Sequence, residues 1–336
     1  MIRPRLHDVA ALAGVSVKTA SRALRGQPHV SAQTLAKVLS AAQTLRFRPN
    51  PLATQLRQGA VSMAVGLVIG NLANPFFSQI AAGAERVLRG RGLDLMIAST
   101  DEDAGRERHV TRMMFERRVR ALLIAPASAD HTYLERERQL GTPVVFVDRP
   151  PNHAHADMIV LDNRRAAARA TSSLLALGHR RIGVIADSPT LWTSRERVAG
   201  VGEAMAAAGH DAWRRDLRLN ARTTPAARDL AAALLAQRDP PTAIFALNNL
   251  ITVGVLEALR SSRQPCALIG FDGFDLAETL RVSVVAADPV HMGERAATLA
   301  LARLAGASSG PTRIVLTGRL VPHGSGELPP GRGLFG

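Results

Sequence analysis

The stretch Leu6-His7-Asp8-Val9-Ala10-Ala11-Leu12-Ala13-Gly14-Val15-Ser16-Val17-Lys18-Thr19-Ala20-Ser21-Arg22-Ala23-Leu24 decides how the chain begins. Leu6, Val9, Ala10 and Ala13 fall on one helical stripe. Gly14-Val15-Ser16 interrupts it: Gly14 can take the positive-φ turn conformation, and Ser16 is a good N-cap for a second helix. That helix, Val17 to Leu24, buries Ala20, Ala23 and Leu24 and exposes Lys18, Arg22 and Arg25. Gly26-Gln27-Pro28 stops it, and Ser31 caps a third helix with the stripe Leu35, Val38, Leu39, Ala42 and Leu45. Three short helices with a tight glycine turn between the first two fit a helix-turn-helix, whose second helix enters the major groove of DNA.

Charge points the same way. Residues 1–60 hold nine cations (Arg3, Arg5, Lys18, Arg22, Arg25, Lys37, Arg46, Arg48, Arg57) and one acid, Asp8. The other 276 residues are nearly balanced, although the whole chain carries +14. A basic module on a balanced body suits a polyanion, while a merely solvated basic face stays open on charge alone. Arginine outnumbers lysine, since Lys18 and Lys37 are the only lysines.

Beyond the third helix comes Pro49-Asn50-Pro51-Leu52-Ala53-Thr54-Gln55-Leu56-Arg57-Gln58-Gly59. Asn50 can cap, Pro51 suits the first helical position and Gly59 suits the stop. About two turns of helix are marginal in water, so this segment should order only when packed. Leu52 and Leu56 share a face, either as an apolar wedge for the minor groove or as a linker touching the core.

These residues closely resemble the opening of the LacI/GalR family of bacterial transcription regulators. The resemblance rests on Leu6 to Leu24, on Val30-Ser31 and on Phe47-Arg48-Pro49-Asn50-Pro51-Leu52-Ala53. It continues more loosely to about residue 326. Ala20 departs from it, because the family usually has valine there. The resemblance implies that Val17, Lys18 and Arg22 meet base edges. It implies that Ser16, Thr19, Ser21, His29, Ser31, Thr34 and Asn50 touch phosphates or fix register. It places Ala53 and Leu56 in a hinge helix at the minor groove, Leu56 being the wedge.

From Ser62 the pattern changes. Ala64 to Ile69 is a continuous apolar run, as in a strand buried on both faces. Next come a helix opened by Asn74-Pro75 and carrying Phe77, Ile80, Ala84, Val87 and Leu88, then a strand from Leu93 to Ala98. This βα alternation runs to Asp148, restarts after about residue 160 and reaches Phe271. Two such series predict two similar lobes with parallel sheets, and a ligand in the cleft beyond the strand ends. The polar residues at those ends are Asn71, Asn74, Ser99-Thr100-Asp101, Asp148-Arg149, Asn248 and Asp272, with Phe76, Phe77 and Trp192 as possible aromatic faces. Each alone is more often a cap or turn residue, but they recur at the same end of successive strands; Phe77 reads equally as core.

The resemblance extends to this body as a periplasmic-binding-protein-like (type I) core. Asn74-Pro75-Phe76-Phe77 matches the family's pocket lip, and Asp148, Arg197, Asn248 and Asp272 match its effector-contacting positions. Asn249 and Gly273 replace residues that are commonly aspartate. Such cores are crossed three times by the chain. The expected division is a helix-turn-helix headpiece over 1–46, a hinge over 47–60, a core over 61–326 and a flexible tail over 327–336. Lobe 1 would take about 61–160 and 289–318, and lobe 2 about 161–288 and 319–326.

Composition narrows the rest. At 336 residues the chain has room for two or more domains, and 46% hydrophobic residues with a mean hydropathy of +0.04 mark a globular protein. No run reaches the 18 or so apolar residues of a membrane span. The opening residues lack a secretory signal, and one cysteine, Cys266, cannot form an internal disulfide, so a cytoplasmic location is expected. Phosphate-loop, zinc-protease and nucleophile-elbow motifs are missing, as is metal-ligand spacing. Asp101 with Asp103, or Asp272 with Asp275, is a weak pair for glycoside chemistry. The expectation is a homodimeric, or tetrameric, repressor of operator DNA controlled by a sugar-like effector, with no cofactor, metal or catalytic residue. The alternative is a similar DNA binder with no small-molecule effector, constitutive or controlled by a protein partner.

Overall fold

In the headpiece, α1 (Leu6–Leu12), α2 (Val17–Leu24) and α3 (Ala32–Thr44) enclose Val9, Ala10, Ala20, Ala23, Val38, Ala41 and Ala42. Gly14 has φ +65°, so the turn between α1 and α2 uses the conformation that glycine takes without a Cβ penalty. Ser16 and Ser31 cap α2 and α3, accepting from the backbone N–H of Thr19 (3.1 Å) and Thr34 (3.2 Å). Leu39 departs from the expected stripe. It is 50% exposed, because Val38 and Ala42 already fill the narrow face that two short helices can cover.

The computed structural model describes residues 4–24, 26, 28, 30–47, 63–262 and 264–335. It separates into a unit over Met1–Val61 and one over Ser62–Gly336.

The second unit contains two six-stranded sheets. The first has the order β11-β5-β4-β3-β1-β2 and is parallel throughout. Its strands are β1 (Ala64–Ile69), β2 (Asp94–Ser99), β3 (Leu122–Ile124), β4 (Val144–Asp148), β5 (Asp157–Leu161) and β11 (Arg313–Leu316). The second has the order β12-β10-β9-β8-β6-β7, from β6 (Ile182–Ile185), β7 (Leu217–Arg218), β8 (Ala243–Ala246), β9 (Ala267–Phe271), β10 (Ser283–Ala286) and β12 (Arg319–Val321). Here β12 runs antiparallel to β10, a common arrangement at the edge of an otherwise parallel sheet. The central strands β3, β4, β8 and β9 are buried along their whole length, which is why they read as unbroken apolar runs.

Helices cover both sheets: α4 (Pro75–Arg89), α5 (Ala104–Glu116), α6 (Glu135–Gln139), α7 (Asn163–Ala176), α8 (Trp192–Ala207), α9 (Thr224–Leu235), α10 (Asn249–Ser261) and α11 (Pro289–Leu304). The chain leaves the first sheet after Leu161, returns with α11, and crosses again between β11 and β12. Helix α11 packs on α4 at backbone contact: a Cβ on Gly83 would overlap the Val290 carbonyl, and one on Gly293 the Ile80 carbonyl. That approach ties the returning segment to the first lobe.

The expectation of a flexible tail over 327–336 is corrected over the described residues. His179 donates from Nε2 to the Leu328 carbonyl at 2.8 Å. The Glu327 carboxylate accepts from the Ser283 hydroxyl and the Gly324 N–H, both at 2.7 Å, and Leu334 packs against the second lobe's core. The tail's prolines and glycines suggest fraying, but its polar groups find buried partners.

A candidate effector cleft and a DNA-reading helix

Both sheets reverse their strand order beside their first strand, at β1/β3 and at β6/β8. Such switch points open a crevice beyond the carboxyl ends of the strands. The two crevices face one cleft of about 740 Å³, open solvent included. Asn71, Asn74, Phe76, Phe77, Asp101, Glu102, Asp148 and Arg149 line it from the first lobe. Asp187, Leu191, Thr193, Ser194, Arg197, Arg222, Leu247, Asn248, Leu250 and Asp272 line it from the second.

Asn74 caps α4, its Oδ1 accepting from the Phe76 N–H at 3.0 Å. The same oxygen accepts from Asn249 Nδ2 at 2.8 Å, a bond between the lobes that an aspartate at position 249 could not donate. Phe76 and Phe77 pack edge to face at 5.5 Å and belong to the buried core as well as to the cleft wall.

Asp148 ends β4 and Asp272 follows β9, with φ +67° and +63°, a left-handed conformation that aspartate tolerates better than most side chains. Asp272 receives a bidentate pair from Arg197 at 2.8 and 3.1 Å. Arg197 also donates to Asn163 Oδ1 and the Leu247 carbonyl, both at 2.7 Å, and its guanidinium lies 3.8 Å over the Phe271 ring. It is therefore buried and fully engaged on the second lobe.

Asp148 is different. Among the described residues its carboxylate meets only the Arg149 Nε, at 3.2 Å. Burial pushes its pKa up to about 6, against the pull of Arg149 and Arg197, with Asp272 and Glu102 adding to the rise. Burial also raises Asp187, which accepts from the Ser188 N–H at 2.6 Å. Burial works against the charge on Arg149, but Glu102 and Asp148 hold its pKa above the ordinary arginine value. Arg149 is fixed from behind: its Nη1 donates to the Pro126 carbonyl at 3.0 Å. The loop after Pro126 is held by the buried Glu107 carboxylate, which accepts from the N–H groups of Ala127 and Ser128 and from the Tyr133 hydroxyl.

Asn248 caps α10 through the Ile251 N–H at 2.7 Å, and its Nδ2 lies 3.4 Å from Asp187. The structure thus brings Asn74, Phe76, Phe77, Asp148, Arg197, Asn248 and Asp272 to one cleft. Trp192 opens α8 half-buried and is not among the residues lining this cleft, whereas its neighbours Leu191 and Thr193 are, since successive helical residues point in different directions. Sequence reasoning missed Glu102, Asp187, Ser194 and Arg222. Asp187 lies just past β6, where the strand-end rule applies equally. Nothing local marks Glu102.

On the headpiece, Val17 and Lys18 are exposed on the first turn of α2. The Thr19 hydroxyl lies 2.9 Å from Ser16 Oγ, and the Ser31 hydroxyl donates to Thr34 at 2.9 Å. Ser21 and Arg22 are half-buried, and Arg22 Nη2 donates to the Pro28 carbonyl at 2.9 Å. His29, Asn50, Ala53 and Leu56 lie outside the described residues. Among the described residues no group of His, Cys, Asp and Glu could hold a metal ion.

Comparison with known proteins supplies the family. Residues 62–297 match the model "Periplasmic binding proteins and sugar binding domain of LacI family", and residues 5–50 match "Bacterial regulatory proteins, lacI family". The ribose operon repressor of Escherichia coli is 29% identical over 332 residues, 95% of this chain and 99% of that one. The HTH-type transcriptional repressor PurR of Photobacterium profundum is 29% identical over 280 residues, 81% of this chain and 83% of that one. The crystal structure of a putative ribose operon repressor from Burkholderia thailandensis superposes with a TM-score of 0.70 at 32% identity, covering 78% of this chain and all of that one. The Pseudomonas putida Cra regulator in complex with fructose 1-phosphate superposes with a TM-score of 0.71 at 25% identity, covering 78% of this chain and 99% of that one. The chain belongs to the lacI family: it is a DNA-binding transcription regulator with a helix-turn-helix headpiece and a two-lobed effector-binding core.

Proposed function

We propose that the protein is a homodimeric repressor whose operator affinity is set by a small polyhydroxylated effector, a sugar or sugar derivative, bound between the core lobes. The observation that carries this reading is Asp148: a buried carboxylate at the cleft whose one ion-pair partner among the described residues is Arg149 Nε at 3.2 Å, facing the Arg197–Asp272 pair of the other lobe. A ligand hydroxyl can donate to the acceptor capacity that this single pair leaves free. The name of one relative, the ribose operon repressor, supports a sugar-sized ligand. The constitutive alternative leaves that carboxylate without a purpose.

Residues 1–46 form the reading head in this proposal, 47–60 the hinge, and the rest the core. Val17, Lys18 and Arg22 read base edges; Ser16, Thr19, Ser21, His29, Ser31, Thr34 and Asn50 fix register on the phosphates; Ala53 and Leu56 enter the minor groove. Effector binding changes the angle between the lobes and thereby orders or melts the hinge. It acts only through its differential affinity for those two states. Exposed Leu72 and Ile97 beside α4 and β2, with Leu276 and Leu280 on the second lobe, support a dimer face. Lac repressor, solved as a dimer on operator, shares the fold at 22% identity and a TM-score of 0.75, covering 97% of this chain and all of that one. We further propose a cytoplasmic, non-enzymatic protein; no described helix is long and apolar enough to cross a membrane.

Asp148→Asn tests the site with two readouts of opposite sign. Effector affinity should fall about tenfold to a hundredfold, the effect of losing a charged acceptor. Wild-type affinity should also fall as pH drops through about 6, and the variant's should not. Folding responds the other way. The folded pKa lies above the unfolded 3.8, so this group's stabilisation is full below that value and lost as pH rises through about 6. At pH 7.5 the variant should therefore melt higher than wild type. A wild-type ligand titration that is flat between pH 5 and 8 would remove Asp148 from the binding site.

A further inference from the structure

The cleft walls carry five carboxylates, Asp101, Glu102, Asp148, Asp187 and Asp272, against three guanidinium groups, Arg149, Arg197 and Arg222. Two of those guanidinium groups are already spent. Asp272 takes both Nη atoms of Arg197, and Glu102 takes both Nη atoms of Arg149 at 2.5 and 2.8 Å. Asp101 is paired with Arg106 at the rim, at 2.6 Å. That leaves Asp148 and Asp187 facing the interior against the exposed Arg222, whose Nη2 reaches the Asp101 carbonyl at 3.4 Å. An entering phosphate would lose its water, meet two carboxylates and find both buried guanidinium forks occupied, with only the exposed Arg222 uncommitted.

Glu102 is held in this position by the surrounding chain. Asp101 and Glu102 both have positive φ, 51° and 60°, a costly arrangement for two consecutive non-glycine residues. It turns the Glu102 side chain back into the cleft, where only 15% of it stays exposed. Gly70, at the end of β1, leaves the space: a Cβ there would overlap the Glu102 carboxylate. A small residue on one strand end and a strained turn after the next thus cooperate to place one acid on one arginine.

We propose that Glu102 selects the effector by charge: by neutralising Arg149 it makes the cleft accept an uncharged polyhydroxylated ligand and reject its phosphorylated counterpart. The proposal rests on the effector reading above and adds the ligand's charge class. Glu102 is a positioning residue that acts through Arg149, so its signature is a change of ligand preference and not a loss of binding.

The test is isothermal titration of the full-length wild type, Glu102→Gln, Glu102→Asp and the double variant Glu102→Gln/Arg149→Met. The probes are inorganic phosphate, fructose 1-phosphate, D-fructose and D-ribose. Glu102→Gln should gain about tenfold or more in affinity for inorganic phosphate and fructose 1-phosphate. Glu102→Asp should keep the wild-type preference. The double variant should lose the gain, which separates the cleft from phosphate binding on the basic headpiece. Wild type binding fructose 1-phosphate more tightly than fructose, or Glu102→Gln showing no gain, overturns the proposal and leaves the effector reading intact. No response of wild type to any uncharged sugar, with the phosphate gain still present in Glu102→Gln, counts against the effector reading and supports the role of Glu102.

Discussion

Replacing Arg197 with alanine is expected to destabilise the core by about 3–5 kcal/mol, in addition to removing the ligand response. The guanidinium is buried and holds Asp272, Asn163 and the Leu247 carbonyl while stacking on Phe271. Alanine leaves the Asp272 carboxylate buried without its partner, and a buried unpaired charge costs more than the lost contacts. Arg197→Met/Asp272→Leu removes both charges and should recover most of the stability without restoring the response. Urea denaturation of the three proteins decides the matter. An Arg197→Ala protein as stable as wild type would show that water reaches Asp272, so that the pair only binds ligand. The resemblance places Arg197 at an effector-contacting position, and its hydrogen bonds show that it also holds the fold.

Operator affinity should fall about a thousandfold or more between 50 and 200 mM salt. Each headpiece and connector brings nine cations, so a dimer easily neutralises the roughly six or more phosphates that such a slope requires. Single substitutions should divide by role. Lys37, exposed on α3, should behave as a phosphate-facing charge: Lys37→Ala weakens binding to all duplexes alike and lowers the salt slope by about one. Arg22→Ala should cost about 1–3 kcal/mol on the operator and relax the sequence preference at one position. Its bond to the Pro28 carbonyl orients the side chain and leaves further N–H groups for a guanine edge. Equal loss on operator and random duplex for Arg22→Ala would move that residue from the base-reading set to the phosphate set.

The headpiece is readable because its signals are local. Gly14, the Ser16 and Ser31 caps and the alanine-rich faces mark α2 and α3 without reference to the rest of the chain. Leu39 shows the limit, since a stripe drawn on one helix ignores how much its neighbours can cover. In the core the long apolar strands announce themselves, but β5, β10 and β11 do not. These are four or five residues long, and β11 is a half-exposed edge strand. The cleft is legible where it derives from topology: Asp148 ends its strand, Asn248 and Asp272 follow theirs, and Asn74 caps the helix after β1. Glu102 is not, because its position depends on two left-handed residues and on a glycine thirty-odd residues earlier. Trp192 suits a sugar face by its chemistry but is not among the cleft-lining residues.

The central claim is that a ligand in the cleft controls DNA binding by the headpiece. Fluorescence anisotropy of the full-length protein on a duplex selected from its own genome, with and without saturating cleft ligand, tests it most directly. Binding should be at least about a thousandfold tighter than to random duplex, and should change about fivefold or more on adding ligand. In Asp148→Asn the change should need correspondingly more ligand. Equal affinity for selected and random duplex, or an operator affinity that no bound cleft ligand alters, would contradict it.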